Sequence, residues 1–430
     1  MSSPAPETIA ERSRRARVRA ALDSVAGAGV AGSGGAGVVE AFAPGRINLI
    51  GDHIDYVGGT VVPMSIDRGT WFAARRRAAP GIRVQTLDVG ETAVCHAGED
   101  PDDAAAATAV QSGAGHWSRF VRGLLALAST AENETGTGTA AGTDARPGAE
   151  IVVSGELAGG GLSSSASFCV GMAMVLMELD CIPRLRGMTL ARCAQQVEHD
   201  WLGVACGIMD QAAVVAGRED GALELDCRTG RTAPVMLDWG ARSLLAIRSR
   251  GDRRLADGAY NQRRAELAAG LARLGKAPDL IPELNPAGMQ DIEADDLPLR
   301  RVRHIVGEQR LVREALAAAR RGDWPAFGAA LTASHASLRD DYAVSTPELD
   351  RIVDAATATA GCEGARLTGA GFGGWAIALV RDAALDAVLA AVGRARGAPL
   401  TTGEWFVARP GGAARILQPT RERQPRGVQP

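Results

Sequence analysis

The sequence contains a single lysine, Lys276, although 47 of its residues are lysine or arginine. A Walker A nucleotide loop needs a lysine directly after its glycines, and a protein-kinase fold needs one on a strand. Lys276 lies in the segment ARLGKAPDL, which matches neither motif. A pyridoxal phosphate enzyme would have to use this same residue for its Schiff base. If the chain binds ATP, it must therefore do so with another architecture.

The sequence also has few aromatic residues, a small net charge and only short apolar runs. Aromatic side chains make up 4% of the 430 residues and the formal net charge is -3, which argues against base stacking and against bulk electrostatic binding to nucleic acid or anionic membranes. The apolar run at residues 168–177 is shorter than the roughly 20 residues that a membrane-spanning helix needs. The N-terminus lacks the apolar core of a signal peptide. We therefore expect a cytoplasmic protein that has neither nucleic acid nor a membrane as a partner.

The seven cysteines show no metal-binding or disulfide pattern. Their number is odd, and no two of them are spaced as C-x-x-C. This predicts reduced and mostly buried thiols, as in a cytosolic protein. The chain is long enough to bury a core without disulfides, and its 46% apolar and 23% charged residues are typical of a globular protein with two or three domains.

Biased composition marks the segments for which we predict little order. Residues 1–38 combine an Arg-rich stretch of helical character with a Gly/Ala run, which predicts a flexible N-terminal segment. Residues 129–148 predict a mobile surface loop, and residues 419–430 predict a flexible tail. A change in composition divides the remainder into an N-terminal lobe at 39–235 and a C-terminal lobe at 236–418.

The hydrophobic patterns of these lobes mix helices and strands, so we predict an α+β fold with two lobes. Helices are predicted at 163–179, 188–201 and 302–320, and strands are predicted at 150–154, 243–248, 365–368 and 375–380.

Four segments contain residue types that catalysis or ligand binding requires. The first is APGRINLIGDHIDYVGG at residues 43–59. It places one arginine, two carboxylates and one histidine within ten residues. Short polar side chains that donate and accept suit a polyhydroxylated ligand, because each buried hydroxyl group needs a partner. A surface turn with solvated charges is the alternative. Leu49, Ile50 and the glycines place the cluster against a core and favour a site.

The second segment, SGELAGGGLSSSAS at residues 154–167, follows a predicted strand and opens a predicted helix. Glycines let the backbone approach a phosphate, and the N-terminus of a helix offers free N–H groups and a positive dipole end. Three serine hydroxyls can donate to phosphate or bind a metal, so a nucleotide could bind without a Walker lysine. A flexible linker is the alternative, but the flanking strand and apolar helix favour a phosphate loop.

The third segment, EHDWLGVACGIMDQ at residues 198–211, contains Asp210 in apolar surroundings. A carboxylate there must be paired or functional, because an unpaired buried charge is costly. Glu198 on the preceding helix could reach a metal. The alternative is an Asp210 that caps a helix and a solvated Glu198.

The fourth segment, RLTGAGFGGW at residues 366–375, has four glycines between two predicted strands, which indicates either a structural turn or close approach of a ligand.

Together and in this order, the four segments resemble the motifs of the GHMP superfamily of small-molecule kinases, and within it the galactokinases. The first resembles the sugar-binding signature and the second the phosphate loop. The third is similar to the catalytic segment C-G-I-M-D-Q and the fourth to T-G-x-G-F-G-G. Tyr260 in LADGAYNQRRAE and the run SHASLRDDYAVSTPELD at 334–350 are also similar to galactokinase sequences. The resemblance extends over residues 40–415, apart from the 129–148 loop.

The resemblance implies a two-lobed α+β fold with the active site in the cleft between the lobes. It implies an ATP-dependent kinase that phosphorylates the anomeric C1 hydroxyl of galactose. Asp210 would be the catalytic carboxylate, and Arg46 would hold the reacting oxygen and the charge of the transferred phosphoryl group. The resemblance favours a monomer whose partners are a small-molecule sugar and ATP.

The resemblance also implies the residues that bind each ligand. Mg²⁺ would be bound by the hard oxygen ligands Ser165 and Glu198. The phosphates would be cradled by Gly159, Gly160, Gly161, Leu162, Ser163, Ser164, Ser165 and Ala166. The sugar hydroxyls would be bound by Asp52, His53, Asp55, Gly207 and Tyr260.

Three residues depart from the family pattern. Asp52 stands where galactokinases usually carry glutamate, so its carboxylate is one methylene shorter, and a displacement of about 1 Å can cost about 10²-fold in rate. Leu157 replaces a usual proline before the phosphate loop. Trp375 replaces a small residue after the last Gly-Gly and could repack the edge of the cleft.

Asp52 keeps open a C1 kinase of a different sugar, such as an amino sugar, a deoxy sugar or a heptose. A non-catalytic sensor of sugar and ATP is less favoured, because Asp210 and the serines of the phosphate loop are intact. A mevalonate-type or homoserine-type kinase would lack the GDHIDY cluster.

Overall fold

The structure is a computed structural model that describes residues 9–25, 37–99, 117–135, 147–157, 160–250, 256–275 and 296–417. Its strands are β1 Val39–Asn48, β2 Thr60–Val61, β3 Pro63–Arg77, β4 Ile82–Thr86, β5 Glu91–Cys95, β6 Gly148–Gly155, β7 Gly221–Asp226, β8 Arg231–Met236, β9 Arg242–Arg248, β10 Cys362–Thr368, β11 Trp375–Arg381, β12 Trp405–Ala408 and β13 Arg415–Leu417. Its helices are α1 Ile9–Val25, α2 Ser118–Thr135, α3 Ser164–Glu178, α4 Gly187–Leu202, α5 Met209–Ala216, α6 Ala256–Arg273, α7 Leu297–Arg321, α8 Trp324–Asp340, α9 Pro347–Thr357 and α10 Leu385–Ala395.

The described strands form three sheets. The first has six strands in the order β13-β1-β3-β6-β4-β5, in which only β4 and β6 run parallel. The second has the order β10-β11-β9-β12 and is antiparallel throughout. The third is the small sheet β2-β7-β8. Helices cover these sheets, so the predicted α+β class is confirmed.

Local sequence explains where several helices begin. The side chains of Asp296, Asp323 and Thr346 each accept a hydrogen bond from the backbone N–H three residues later. Each of these three helices also has a proline in its first turn, where the missing N–H is not needed. By contrast, α3 is apolar on nearly all sides, and it is buried against β1 and β3 in the core of the first lobe.

The predicted elements inside the lobes are confirmed. The strand at 150–154 is part of β6, the strand at 243–248 lies in β9, and the strands at 365–368 and 375–380 lie in β10 and β11. The helices at 163–179, 188–201 and 302–320 correspond to α3, α4 and α7. All seven cysteines lie among the described residues and none is bridged; three are buried and four are partly buried. Among the helices that the structure describes, none combines the length and apolarity needed to cross a membrane.

The structure corrects the predicted flexible segment at 1–38. Helix α1 packs against the first sheet, and Val18 and Leu22 are completely buried against Phe42 and Trp71. These two apolar residues are four positions apart on one helix face, and the arginines around them concealed this pattern. The Gly/Ala run falls almost entirely on residues 26–36, outside the described residues.

Two further boundaries differ from the prediction. Strand β13 lies inside the predicted C-terminal lobe, but it pairs with β1, so the end of the described chain returns to the first lobe. Helix α2 continues to Thr135, into the predicted loop at 129–148, and residues 136–146 lie outside the description, as does the predicted tail at 419–430. The boundary between 235 and 236 stays a prediction.

Candidate active site

Arg46 joins the first segment to the phosphate loop. It lies near the end of β1 with 4% of its surface exposed. Its backbone N–H donates to the carbonyl of Leu162 at 3.1 Å, and its Nη1 donates to the carbonyl of Gly161 at 2.7 Å. A Cβ atom at Gly45 would lie 2.7 Å from the same Leu162 oxygen, so only glycine allows this approach. The sequence Gly-Arg therefore fixes the loop to the strand.

Asp210 is held by the same arginine. Nε and Nη2 of Arg46 lie 2.8 and 2.7 Å from Oδ1 of Asp210. Asp210 is in the first turn of α5, where the positive end of the helix dipole favours a carboxylate. Its side chain is 26% exposed, whereas that of Arg46 is 5% exposed. Asp210 is therefore paired with Arg46, and its carboxylate can still be reached by a ligand.

The loop before α3 has the backbone conformation of a phosphate cradle. Gly160 and Gly161 have φ angles of +66° and +93°, and Ser163 has +59° although it is not glycine. Helix α3 begins at Ser164, so its first N–H groups face this turn. The hydroxyl of Ser163 is buried and has no hydrogen-bond partner among the described residues.

The other predicted members of the cradle differ in exposure. Ser164 is exposed, Ser165 is partly buried, and Leu162 and Ala166 are buried. Gly159 lies outside the described residues. Within the predicted cradle, Leu162 therefore has only backbone groups available to a phosphate, whereas Ser164 and Ser165 also have accessible side-chain hydroxyls.

Glu198 and Ser165, the predicted metal ligands, lie together. Glu198 is 5% exposed near the end of α4 and accepts a hydrogen bond from Nε2 of Gln211 at 2.7 Å, and Ser165 lies close enough to lower its pKa. Burial is the largest cause that raises the pKa of Glu198 to about 7, and the negative charge of Asp210 contributes to the same rise. A hydroxyl and a carboxylate in an excess of negative charge fit a hard divalent cation. Within the described ranges no three His, Cys, Asp or Glu side chains form a complete metal site.

Asp55, Gly207 and Tyr260 converge on one side of Asp210. A Cβ atom at Gly207 would collide with Oδ2 of Asp55. Burial raises the pKa of the Asp55 carboxyl to about 7, and the charges of Asp210 and Asp52 also raise it. The carboxyl of Asp55 also raises the pKa of Tyr260, although burial of the phenol is the larger cause. These three predicted sugar ligands are therefore brought together.

Both ring nitrogens of His53 have hydrogen-bond partners within the protein, and its role as a sugar ligand stays a prediction. The carbonyl of Ala370 can only accept a hydrogen bond, so Nε2 of His53 carries the proton and donates to it at 3.1 Å. Nδ1 then accepts from the hydroxyl of Tyr56 at 3.1 Å, and Tyr56 accepts from Tyr342 at 2.5 Å. Burial lowers the pKa of His53 to about 4, so the ring is neutral at pH 7. His53 holds its segment in place at a φ of +66°.

Asp52 is buried and paired with an arginine of the protein. It is 2% exposed, and Arg366 of the fourth segment donates to its Oδ2. The backbone carbonyl of Asp52 accepts from Nε2 of His304 at 3.2 Å. A buried charge is stabilised by its nearest cation, which here is Arg366, and the contact of this carboxylate with a sugar stays a prediction.

The fourth segment closes over the phosphate loop. A Cβ atom at Gly369, where φ is +83°, would lie 3.0 Å from the carbonyl oxygen of Gly161. Trp375 lies at the start of β11 with 4% of its surface exposed, and its Cδ1 would lie 3.3 Å from a Cβ atom at Gly161. Trp375 therefore lies against the loop at Gly161, and the absence of a side chain on this glycine permits the approach.

Sequence analysis missed four residues of this site, namely Tyr56, Gln211, Tyr342 and Arg366. The chain has three tyrosines, and the rings of all three lie within 6.0 Å of the His53 ring, centroid to centroid. Because tyrosine is rare in this sequence, the three tyrosines could have been considered together as candidates for one site. Gln211 directly follows Asp210, and its amide could have been paired with Glu198.

Comparison with known proteins agrees with this geometry. Residues 33–76 match the galactokinase galactose-binding signature, residues 120–218 the GHMP kinases N terminal domain, and residues 315–398 the GHMP kinases C terminal family. The chain is 37% identical over 356 residues to the galactokinase of Roseiflexus sp. (strain RS-1), which covers 80% of this chain and 84% of that protein. It is 36% identical over 353 residues to the galactokinase of Homo sapiens, covering 80% and 83%.

Solved structures give the same result. The crystal structure of Lactococcus lactis galactokinase complexed with galactose matches with a TM-score of 0.78 at 32% identity, covering 93% of this chain and all of that chain. Mevalonate kinase of Methanococcus jannaschii shares the fold, with a TM-score of 0.58 at 18% identity over 88% of this chain and 99% of that chain.

Proposed function

The chain belongs to the galactokinases of the GHMP kinase superfamily, and we propose that it transfers the γ-phosphoryl group of ATP to the anomeric C1 hydroxyl of galactose. The products are galactose 1-phosphate and ADP. The observation that carries the proposal is Arg46, whose guanidinium contacts both the carboxylate of Asp210 and the phosphate loop. One side chain thus links the group that would meet the sugar to the loop that would meet ATP.

Asp210 acts on the attacking hydroxyl. Its carboxylate accepts the hydrogen bond of the C1 hydroxyl and takes up its proton as the new O–P bond forms. A sugar hydroxyl is a weak nucleophile at neutral pH, so a positioned base contributes to the rate. Arg46 keeps Asp210 in place and supplies positive charge for the transferred group. Phosphoryl transfer depends on alignment and charge neutralisation of this kind more than on covalent chemistry.

The nucleotide lies against the loop from Gly159 to Ala166, whose N–H groups and serine hydroxyls bind the phosphates. Ser165 and Glu198 would hold Mg²⁺, which would supply charge neutralisation on the phosphates. Their proximity and the raised pKa of Glu198 support this role, because a carboxylate held among like charges gains most from a cation. Mg²⁺ usually takes one or two protein oxygens and completes its shell from phosphates and water.

The sugar binds beside Asp55, Tyr260 and the backbone of Gly207. His53 and Asp52 position this segment, since both ring nitrogens of His53 and Oδ2 of Asp52 have partners in the protein, and their contact with sugar hydroxyls is part of the proposal. All proposed residues come from one chain, so the proposal requires no second copy, and a monomer is sufficient.

A C1 kinase of another sugar is the second candidate, and Asp52 favours it. The shortened carboxylate is bound by Arg366 through Oδ2, and its reach toward a ligand is one methylene less than that of a glutamate. A site that lacks a polar partner for one hydroxyl discriminates weakly against sugars that differ there.

A panel of free sugars in a coupled ADP-release assay tests the proposal. The panel contains galactose, its 2-amino and 6-deoxy analogues, and a heptose, and galactose is expected to give the highest kcat/KM. If galactose is inert while another sugar turns over, the kinase chemistry stands and the galactose assignment fails.

The variant Asp210→Asn tests the catalytic role. We expect it to bind galactose normally by calorimetry and to lose about 10²–10⁴-fold in kcat, the usual contribution of a positioned base. The matched control is Asp200→Asn, the same change at an exposed position of α4, which should leave kcat unchanged. Turnover of Asp210→Asn near the wild-type rate would refute the assignment.

A further inference from the structure

Trp375 is the residue at which the fourth segment departs from the family pattern. It occupies the first position of β11 and is 4% exposed. Its indole N–H is buried and has no hydrogen-bond partner in the part of the chain that the structure describes. Buried donors are almost always paired in native proteins, so this N–H requires an explanation.

The indole N–H lies at the phosphate loop. A Cβ atom added to Gly161 would lie 3.3 Å from Cδ1 of Trp375, and Cδ1 is covalently bonded to Nε1. The edge of the indole that carries the N–H therefore faces the loop. Phe406 packs against the ring in a T-shaped arrangement with centroids 5.2 Å apart, which holds the indole in this orientation.

A second unpaired donor lies on the same loop. The hydroxyl of Ser163, two residues after Gly161, is buried and unpartnered among the described residues. Arg46 adds positive charge beside Gly161, since its Nη1 donates to the carbonyl oxygen of that residue at 2.7 Å. Two unpaired donors beside a guanidinium and a helix N-terminus suit a group with several acceptor oxygens and negative charge. A nucleotide phosphate has that chemistry.

We propose that Trp375 is a nucleotide-binding residue whose indole N–H donates to a phosphate oxygen of the bound nucleotide. The inference rests on the proposed kinase function and adds a ligand to its phosphate site. Gly161 beside the indole has a φ of +93°, and Gly374, which precedes Trp375, has +88°. Glycine backbone of this kind adjusts easily, so the proposal requires only a local displacement for a phosphate to reach the N–H. The bond would stabilise bound nucleotide without any contact to the sugar.

The variant Trp375→Phe removes the N–H and keeps an aromatic ring against Gly161 and Phe406. The matched control is Trp239→Phe, because the indole N–H of Trp239 is also unpaired but its ring packs against Trp324 and Phe327, with centroids 4.7 and 5.8 Å away. A third variant, Trp375→His, keeps a ring N–H at position 375. Each protein is titrated calorimetrically with Mg²⁺-ADP, with a non-hydrolysable Mg²⁺-ATP analogue, and separately with galactose.

We expect Trp375→Phe to bind one or both nucleotides about tenfold more weakly, the loss of one hydrogen bond to a charged group. Trp239→Phe should bind them within twofold of the wild type, Trp375→His should recover most of the affinity, and galactose binding should be unchanged in all three. Nucleotide binding by Trp375→Phe within twofold of the wild type overturns the inference. Equal weakening in Trp375→Phe and Trp375→His also overturns it, because the indole would then act through packing.

The wild-type protein separates this inference from the proposed function. If it binds nucleotide but does not phosphorylate galactose, the function fails, and the calorimetric comparison still decides the role of Trp375. If it phosphorylates galactose and Trp375→Phe binds nucleotide normally, only the inference fails.

Discussion

The guanidinium of Arg366 donates to Oδ2 of Asp52 across 314 positions of the sequence. The two side chains are 0% and 2% exposed, so the ion pair is inside the protein. Arg366 also donates to the carbonyl of Leu49 at 2.9 Å. Burial raises the pKa of the Asp52 carboxyl, while the charge of Arg366 acts in the opposite direction. The first and fourth segments are therefore joined by a buried ion pair.

Replacing Arg366 with methionine should destabilise the protein by about 3–5 kcal/mol, because the carboxylate of Asp52 would stay buried without its cation. The free energy of unfolding in urea measures this. The control Arg381→Met removes an arginine whose side chain is 58% exposed and paired with Glu363, and it should cost less than about 1 kcal/mol. The double variant Asp52→Asn/Arg366→Met should recover part of the loss. A midpoint for Arg366→Met equal to that of the wild type would contradict the buried pair.

Gly207→Ala should weaken sugar use. The new methyl group would collide with Oδ2 of Asp55, so the carboxylate must move by about 1 Å, and such displacements cost up to about 10²-fold in aligned sites. We expect kcat/KM for galactose to fall at least tenfold, with little change in KM for ATP.

The control for Gly207→Ala is Gly307→Ala. Gly307 lies inside α7, and nothing lies within 4 Å of an added Cβ atom, so alanine should be neutral or slightly stabilising there. If Gly207→Ala retains wild-type kcat/KM, Asp55 does not bind the sugar in the position that we describe.

Much of the prediction followed from local hydrophobic patterns and from the order of the motifs along the chain. Helix α3 was predicted because a continuous apolar stretch follows a glycine-rich turn, and the structure confirms both the helix and its burial. The convergence of Asp55, Gly207 and Tyr260 followed from the family resemblance. These features depend on residues that are close in sequence or conserved in order within a known pattern.

Partners that are distant in sequence could not be predicted in this way. Nothing near Asp52 indicates that Arg366 neutralises it, because the pairing forms only when β10 packs beside the first segment. The positive φ of His53 and its bond to the carbonyl of Ala370 likewise depend on a loop 317 positions away. A single side chain suggests a charge or a donor, but the fold decides which partner satisfies it.

Tyr342→Phe should weaken sugar binding through the segment that His53 holds. Tyr342 is completely buried, and its hydroxyl donates to Tyr56, which donates to Nδ1 of His53. Loss of one such bond costs about 0.5–1.5 kcal/mol, so KM for galactose should rise about two- to tenfold, while kcat and KM for ATP change less. In a Tyr56→Phe background the same substitution should add little, because the chain is already broken. Fully additive effects of the two substitutions would exclude a continuous chain.

Glu198→Gln should become more stable relative to the wild type as the pH rises. Burial raises the pKa of Glu198 from 4.5 to about 7, so between these values the folded protein binds a proton that the unfolded chain has lost. The stability of the wild type therefore falls across this window, and glutamine removes that contribution. The gain of Glu198→Gln over the wild type approaches about 1.4 kcal/mol for each pH unit and levels off above the folded pKa.

The free energy of unfolding at pH 5, 6, 7 and 8, without Mg²⁺ or ligands, measures this difference. Adding Asp55→Asn should enlarge the difference from the wild type, because the pKa of Asp55 is also raised to about 7. A difference between Glu198→Gln and the wild type that stays constant from pH 5 to pH 8 would mean that Glu198 is not held in the raised, buried state.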